Sequence, residues 1–359
     1  MFDGKSILVT GGTGSFGKCF CRTLLEKYRP ERLIVYSRDE YKQARMAEEL
    51  NTRCYPALRY FLGDVRDRER LVRAMHEVDF VVHAAALKQV PAAEYNPHEF
   101  IKTNINGATN VVEAALDAGV KRIIALSTDK AVNPVNLYGA TKLCSDKLFI
   151  AGNSYAGRKD TRFSVVRYGN VIGSRGSVIP LFLQQRTGGT VTITDPSMTR
   201  FFITIEEAVA FTLSCFERMQ GGELFVPKLP SCTLGDIVEA IAPDCHREVI
   251  GPRPGEKRHE TLIPSDEAHL TLELPDSYLV QPTLPFWNAD KESKPGKPCQ
   301  PDFSYSSENN PWHYSREALR RDCAHIAAQL GLPPPPPKNP HPPTGTLAAL
   351  LTLEFALAG

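Results

Sequence analysis

KSILVTGGTGSFGKCF, residues 5–20, is the stretch that decides the fold of this chain. A short apolar run leads directly into a turn in which Gly11, Gly14 and Gly17 recur at every third position. Glycines at this spacing allow a tight turn between a strand and a helix, and they let backbone N–H groups approach a pyrophosphate. An ordinary glycine-rich turn is the alternative, but the place between a first strand and a helix favours dinucleotide binding.

The first half of the chain alternates short apolar runs with helical patterns. Apolar strands that alternate with helices are typical of a parallel sheet buried on both faces, so we predict a doubly wound α/β (Rossmann) fold. Residues 1–170 are expected to form the cofactor domain, with a helix over about 205–219 packed on it, and residues 171–330 mostly a smaller substrate domain. The proline-rich residues 331–359 are expected to form an extended, disordered tail. The six predicted strands lie in KSILVTGG, ERLIVYSR, LRYFLGDV, VDFVVHAAA, VKRIIALST and RFSVVRYGN.

Charge and cysteine content exclude several classes of protein. Lys plus Arg number 42 against 41 Asp plus Glu, for a net charge of +1, so neither nucleic acid nor an anionic membrane is expected as a partner. The nine cysteines include no C-x-x-C pair, which predicts reduced thiols in the cytoplasm and no metal site. The N-terminal apolar run and the final stretch TLAALLTLEFALAG are too short for membrane spans.

The end of the second predicted strand indicates which dinucleotide is bound. RLIVYSRDEYK ends its strand with Ser37 and Arg38, and Lys42 follows one helical turn later. A basic residue here suits a ribose 2′-phosphate, whereas NAD sites usually present a carboxylate to the 2′-hydroxyl. We therefore predict NADP, and Asp39 and Glu40 keep NAD as the alternative.

Further cofactor contacts are expected at the carboxyl ends of the next strands, because open α/β sheets bind ligands in the crevice there. Asp64 and Val65 follow the third strand and Ala84 follows the fourth, whereas His83 is expected to be a packed strand residue. The predicted cofactor-binding residues are Gly11, Thr13, Gly14, Ser15, Phe16, Gly17, Ser37, Arg38, Lys42, Asp64, Val65, Ala84, Tyr138 and Lys142.

STDKAVNPVNLYGATK, residues 127–142, carries the predicted catalytic groups. Tyr138 and Lys142 are four residues apart, so they share one face of a helix. A neighbouring ammonium stabilises a phenolate and lowers the Tyr pKa from about 10. The pair can then take a proton from a substrate alcohol while hydride leaves for a nicotinamide. A surface helix pair is the alternative, but the place after a fifth strand favours catalysis.

Several motifs together carry a resemblance to a known family. TGGTGSFG, YGATK and the strand order resemble the extended short-chain dehydrogenase/reductase family of nucleotide-sugar enzymes. Within it, SRDE, HAAALK, LSTDKA, YGNVIGSRGSVIP, MTRFFIT and RPGEKRHE are similar to the inverting UDP-N-acetylglucosamine 4,6-dehydratases, which start the pseudaminic acid synthesis used in flagellin glycosylation. The likeness covers about residues 1–280 and resumes in DFSYSSENN.

The resemblance implies a reaction and roles for two more residues. C4 is oxidised, water is lost across C5 and C6, hydride returns to C6 and C5 is inverted, while tightly bound NADP is regenerated in each turnover. Asp129 is then the acid for the C6 hydroxyl and Lys130 the base for the C5 proton. The Lys130 pKa must fall, which burial and the Lys142 cation would both promote. An exposed ion pair is the alternative, but a chain that is leaving the sheet can turn both side chains into the crevice.

The resemblance also implies contacts to a UDP-sugar. Arginine suits the diphosphate because it can form bidentate hydrogen bonds. Gln89 stands where these enzymes often have His, which puts the contacts near the sugar in doubt, and residues 291–297 and the tail after Leu332 fall outside the family pattern. The predicted substrate residues are Lys88 near the sugar, Asn170 on the diphosphate, and Arg200, Arg253 and Glu256 around the uridine nucleotide.

Three other functions remain open, and the residues weigh against two of them. A nucleotide-sugar 4-epimerase would need Tyr138 and Lys142 but not Asp129 and Lys130. An NADP-binding sensor would need neither pair. A dehydratase that retains the C5 configuration would use the same groups, so the residues leave it open. Because the family forms closed homo-oligomers, a homo-oligomer is also expected.

Overall fold

A parallel sheet dominates the first half of the chain. The computed structural model of the protein describes residues 1–174, 177–283 and 296–336. Each predicted strand run contains one of its first six strands, in the spatial order β3-β2-β1-β4-β5-β6. All five neighbouring pairs are parallel, which confirms the predicted Rossmann fold. The strands are β1 (Ser6–Thr10), β2 (Arg32–Ser37), β3 (Leu58–Leu62), β4 (Phe80–His83), β5 (Arg122–Thr128) and β6 (Arg162–Tyr168).

Helices connect these strands and cover the sheet. All residues of β1 are buried, as a strand covered on both faces requires. A π-helical turn over Ile101–Asn106 and a 3-10 turn over Asp129–Ala131 interrupt the regular helices. The helices are α1 (Ser15–Lys27), α2 (Glu40–Glu49), α3 (Arg68–Ala74), α4 (Val90–Tyr95), α5 (Pro97–Phe100), α6 (Gly107–Ala118) and α7 (Leu137–Tyr155).

The second half of the chain has shorter elements. Its strands are β7 (Asn170–Val171), β8 (Thr190–Ile193), β9 (Thr199–Ile203), β10 (Leu224–Pro227), β11 (Ser231–Thr233), β12 (His246–Val249), β13 (Thr261–Ile263), β14 (Thr271–Glu273), β15 (Ser277–Val280), β16 (Lys297–Pro298) and β17 (Tyr305–Ser306). Its helices are α8 (Val178–Arg186), α9 (Ile205–Arg218), α10 (Leu234–Ile241) and α11 (Arg316–Gln329), with a 3-10 turn over Ser265–Leu270.

Four of these later strands extend the first sheet. β10 lies parallel to β6, β15 lies antiparallel to β10, and β14 and β16 follow at the edge. The sheet therefore continues beyond residue 170, where we placed the end of the cofactor domain. The division into domains stays a prediction.

A second hydrophobic core lies among α8, α10 and α11, with Phe182, Ile237 and Leu319 buried in it. The sequence pattern of RGSVIPLFLQQ, residues 175–185, is irregular and predicts no regular element, and α8 corrects this prediction. Pro180 is the third residue of α8, a first-turn position where no intrahelical N–H bond is lost. The helix therefore tolerates the residue that made the sequence pattern look irregular.

The helix α9 joins the main core from the second half of the chain. Thr204 and Glu207 cap its start reciprocally, each side chain accepting from the backbone N–H of the other. The Phe216 ring packs edge-on against Phe2, with centroids 5.6 Å apart, and lies 5.8 Å from the Phe80 ring. α9 therefore packs against the elements of residues 1–170.

Two predicted segments lie partly outside the described residues. Residues 280–301 are rich in Pro and Lys, which predicts a surface loop. Val280 ends β15 and β16 pairs with β14, while residues 284–295 lie outside the described ranges. Of the predicted tail, residues 332–336 contain neither helix nor strand, and 337–359, with the final apolar stretch, lie outside. Within the described ranges, no helix combines the length and apolarity needed to cross a bilayer.

Replacing Phe216 with Ala tests the packing of α9. The ring is fully buried, so we expect the free energy of unfolding to fall by about 3–5 kcal/mol in urea denaturation. Tyr155→Ala is the control, because this residue is 72% exposed, and its effect should stay within about 0.5 kcal/mol. An unchanged unfolding midpoint for Phe216→Ala would contradict the packing described.

Candidate active site

A crevice of about 800 Å³ opens at the carboxyl ends of the parallel strands, where open α/β sheets bind ligands. Lys130 lines it, and Asp129 is buried beside Lys130. Their individual roles stay predictions. The predicted cofactor residues that line it are Gly11, Thr13, Gly14, Ser15, Phe16, Gly17, Ser37, Arg38, Lys42, Asp64, Val65, Ala84, Tyr138 and Lys142, and the predicted substrate residues are Lys88, Asn170, Arg200, Arg253 and Glu256.

The glycine turn between β1 and α1 has the geometry that a pyrophosphate needs. Gly11 has a φ of 65°, and a Cβ there would lie 2.8 Å from the backbone nitrogen of Ala85. A Cβ on Gly17 would lie 2.5 Å from Cα of Gly12. Among the described residues, no side chain caps the start of α1 at Ser15, so its first-turn N–H groups have no side-chain acceptor there. An anion at this helix N-terminus would supply acceptors, so the turn fits a dinucleotide.

The end of β2 presents two cations and one carboxylate to the crevice, and Asp64 lies beside them after β3. The Asp39 side chain caps α2 by accepting from the Lys42 N–H, and its Oδ2 lies 2.7 Å from Lys42 Nζ. Arg38 Nη1 is 3.7 Å from Asp64 Oδ2, and half of the Arg38 side chain is exposed. The strand-end carboxylate of Asp39 is therefore engaged within its own helix, while the Arg38 guanidinium reaches the crevice.

A single turn after β5 brings Asp129 and Lys130 together. Asp129 Oδ1 accepts from Thr128 Oγ1 and from Lys130 Nζ, both at 3.0 Å. Asp129 is fully buried, and its Oδ2 has no hydrogen-bond partner within the part of the chain that the structure describes. The two side chains are adjacent in sequence but do not point to opposite faces, because the backbone has left the strand and turned.

Lys130 is held by more anionic charge than we expected. Its Nζ lies 3.0 Å from Asp129 Oδ1, 3.5 Å from Glu260 Oε1 and 3.3 Å from Asn170 Oδ1. Burial lowers the pKa of Lys130, but the charges of Asp129 and Glu260 outweigh burial and raise the pKa above its ordinary value. The predicted fall in the Lys130 pKa is wrong for this structure, and Lys130 is an ammonium that must lose a proton before it can accept one.

Tyr138 and Lys142 lie buried on one face of α7. Tyr138 is 8% exposed, Lys142 is 4% exposed, and Lys142 Nζ donates to the carbonyl of Leu126 at 2.8 Å. Burial raises the pKa of Tyr138 to about 12, although the Lys130 charge opposes this, and burial lowers the pKa of Lys142. The expected lowering of the Tyr138 pKa is therefore wrong for this structure, because desolvation exceeds the effect of neighbouring charge.

Gly139 sets the distance between the two pairs of groups. A Cβ at this position would lie only 2.1 Å from the carbonyl oxygen of Lys130. The Gly139 N–H donates to Asn136 Oδ1, and Asn136 Nδ2 donates to the carbonyl of Gly255 at 2.7 Å. The start of α7, the Lys130 turn and the loop before β13 are thus in direct contact. The quoted motif YGATK contained this glycine, but the spacing argument gave it no role.

Sequence analysis missed a buried acidic residue behind the Tyr–Lys pair. Asp146 is 1% exposed; its Oδ2 accepts from Ser127 Oγ at 2.6 Å and lies 3.6 Å from Arg167 Nη2. Burial raises the pKa of Asp146, which the Arg167 and Lys142 charges oppose. Its position four residues after Lys142, on the same helix face, was the available signal.

Arg200 fixes the loop that carries other predicted substrate residues. It is 4% exposed and donates to the backbone carbonyls of Lys257 and Arg258, both at 2.9 Å. Its Nη2 is 3.3 Å from Glu256 Oε1, and the Arg253 N–H donates to Glu256 Oε2. Most Arg200 donors are engaged by protein, whereas Arg253 is exposed and available to a ligand.

Comparison with known proteins identifies related chains. Residues 7–282 match a family described as polysaccharide biosynthesis protein. A Campylobacter jejuni relative named UDP-N-acetylglucosamine 4,6-dehydratase (inverting) is 55% identical over 328 residues, 89% of this chain and 97% of the relative. A Rickettsia conorii relative named UDP-glucose 4-epimerase is 43% identical over 288 residues, 78% of this chain and 84% of the relative. The X-ray structure of Pen from Bacillus thuringiensis aligns with a TM-score of 0.83 and 37% identity, covering 92% of this chain and 100% of Pen.

Replacing Gly139 with Ala tests the contact between α7 and the Lys130 turn. The added methyl group meets backbone, which cannot rotate away, so we expect a loss of about 1–3 kcal/mol in urea denaturation. Gly188→Ala is the matched control, since the nearest atom to its Cβ is 3.5 Å away, and its effect should stay within about 0.5 kcal/mol. Equal stability of the two variants would refute the close contact.

Proposed function

The chain belongs to the polysaccharide biosynthesis protein family, and on this premise we propose that it is a nucleotide-sugar 4,6-dehydratase, a hydro-lyase. Its substrate is UDP-N-acetylglucosamine, and its product is a UDP-4-keto-6-deoxy sugar with C5 inverted. The observation that carries the proposal is the meeting of two acid–base pairs, Asp129 with Lys130 and Tyr138 with Lys142, at one crevice. The printed name and 55% identity of the Campylobacter jejuni relative support the same reaction.

The cofactor is NADP, held by the glycine turn at its pyrophosphate and by Arg38 and Lys42 at its 2′-phosphate. The engagement of Asp39 as a helix cap supports NADP over NAD, since it leaves Arg38 as the more available group. When bound, the cofactor supplies reversible oxidation and reduction, so it is not consumed.

Tyr138 takes the proton of the C4 hydroxyl as C4 is oxidised. With a pKa near 12 in the ligand-free site, Tyr138 needs added positive charge nearby to ionise at neutral pH. Lys142, fixed by the Leu126 carbonyl, keeps one such charge on the same helix face. The C4 ketone then makes the C5 proton acidic.

Asp129 and Lys130 remove water without needing a proton from outside. Within their ion pair, separated by 3.0 Å, the proton of the Lys130 ammonium moves to Asp129. The neutral amine takes the C5 proton, and the C–H electron pair moves toward the C4 carbonyl. Asp129 gives its proton to the C6 hydroxyl, which leaves as water, and the ion pair is restored. The proton that Tyr138 took from the C4 hydroxyl returns through solvent to the opposite face of C5, which inverts that centre.

A second candidate, 4-epimerisation of a UDP-sugar, is favoured by the printed name of the Rickettsia conorii relative. It would employ Tyr138 and Lys142 and leave the buried Asp129–Lys130 pair without a chemical role. We further propose that the dehydration starts pseudaminic acid synthesis and that the enzyme is a cytoplasmic homo-oligomer.

Substitutions in the Asp129–Lys130 pair separate dehydration from epimerisation. Asp129→Asn and Lys130→Met should each lower the formation of 4-keto-6-deoxy product from UDP-N-acetylglucosamine by about 100-fold or more, because each removes an acid or a base. Lys147→Met, on the exposed face of α7, is the control and should keep wild-type activity. Mass spectrometry and NMR identify the product. A wild-type product that has the same mass as the substrate and differs from it only in the configuration at C4 would establish the epimerase.

Removing the Arg38 guanidinium tests the choice of cofactor. Arg38→Ala should weaken NADP binding by about tenfold to 100-fold, because a charged hydrogen bond to the 2′-phosphate is lost, and should leave NAD binding unchanged. Arg45→Ala, an exposed arginine on α2, is the control. Fluorescence titration measures both affinities. Equal losses for the two cofactors, or no loss, would count against NADP selection by Arg38.

A further inference from the structure

A second buried carboxylate, Glu260, faces Lys130 from the loop before β13. It is 2% exposed, yet it borders the crevice. Its Oε1 lies 3.5 Å from Lys130 Nζ and 4.0 Å from Arg200 Nε, and its Oε2 lies 3.7 Å from Lys257 Nζ. Oε2 accepts no hydrogen bond from the residues that the structure describes. Buried carboxylates are costly and usually well bonded, so this arrangement calls for a role.

The backbone of Glu260 is fixed from a distant part of the chain. Its N–H donates to Ser307 Oγ at 2.9 Å, and its carbonyl accepts from the Ser307 N–H at 2.8 Å. Ser307 Oγ also lies within hydrogen-bond distance, 2.7 Å, of Thr199 Oγ1 on β9. The carboxylate is therefore presented to Lys130 from a rigid backbone.

We propose that Glu260 is a positioning residue that holds Lys130 toward the substrate and stabilises its ammonium as Lys130 takes the C5 proton. This inference rests on the proposed dehydration. Asp129 cannot supply that stabilisation, because it must be a neutral acid when the C6 hydroxyl leaves. Glu260 is then the remaining carboxylate within 4.0 Å of Lys130 Nζ among the described residues.

The proton balance of the step shows why a second anion is useful. Once the Lys130 proton has moved to Asp129, the amine forms a bond to the C5 proton and becomes positive again. The electron pair of the broken C–H bond moves to the C4 carbonyl, and Asp129 protonates the departing C6 oxygen. Throughout, the negative charge of Glu260 stabilises the positive charge that develops on Lys130 and so makes Lys130 a stronger base.

Three cations around Glu260 offset part of the effect of its burial. The pKa of Glu260 lies above its ordinary value, because burial and the Asp129 charge raise it by more than the charges of Lys130, Arg200 and Lys257 lower it. Three cations lie within 4.0 Å of the two carboxylate oxygens. Ion pairing with three cations therefore stabilises the carboxylate form of Glu260 at a position where burial alone would favour the neutral acid.

The test compares Glu260→Gln with wild type on UDP-N-acetylglucosamine carrying hydrogen or deuterium at C5. Glu260→Gln keeps the shape but removes the charge, so kcat should fall about 100-fold while KM stays near the wild-type value. The deuterium isotope effect on kcat should rise to a full primary effect, because C5 proton removal becomes rate-limiting. Glu260→Asp keeps the charge and should recover part of kcat.

Glu308→Gln is the matched control. This carboxylate is 56% exposed and lies 3.6 Å from His259, close to the paired strands β13 and β17 that flank Glu260 and Ser307. It should match wild type in kcat, KM and isotope effect. A Glu260→Gln enzyme with wild-type kcat would overturn the proposal, and so would one with raised KM and an unchanged isotope effect, which would mean a merely structural role.

Two further outcomes are distinguishable. Should Glu260→Gln fail to fold, Glu260→Asp decides: a lowered kcat with a raised isotope effect supports the proposal, and a wild-type isotope effect overturns it. Wild-type enzyme that forms no 4-keto-6-deoxy product would instead remove the proposed function, and the role of Glu260 would fall with it.

Discussion

The ion pair between Lys130 and Asp129 is the interaction on which the account of this site depends. It joins a fully buried carboxylate to an ammonium at 3.0 Å, in a turn that begins where β5 ends. Isolated charges in such a place would be strongly destabilising, so each requires the other. In the proposed mechanism the Lys130 ammonium passes one proton to Asp129, and this transfer produces the neutral amine and the neutral acid that water removal needs.

The fold places this pair beside the Tyr138–Lys142 pair. The carboxyl ends of β1, β4 and β5 lie at one edge of the parallel sheet, so the glycine turn and the Lys130 turn open on the same crevice. Gly139 then lets α7 start against the carbonyl of Lys130. The second half of the chain adds Arg200, which fixes the loop before β13, and this loop carries Glu260 to Lys130.

Local patterns predicted the parts of the structure that depend on local physics. The apolar runs located six strands, and the glycine spacing located the turn between β1 and α1, because each reflects neighbours in sequence. Proline in VIPLFLQQ concealed α8, since its first-turn position is visible only once the helix start is known. The adjacent Asp129 raises the pKa of Lys130 most, but the added effect of Glu260 could not be foreseen, because Glu260 is far away in sequence and meets Lys130 only through tertiary structure.

The most direct test of the central claim is the reaction of the wild-type protein with UDP-N-acetylglucosamine and NADP in deuterated water, followed by NMR. The account predicts a 4-keto-6-deoxy sugar that carries deuterium at an inverted C5, because Lys130 removes the C5 proton and the opposite face is reprotonated. A sugar with its C5 proton retained and only C4 changed would contradict it, since Asp129 and Lys130 would then have no part in the chemistry.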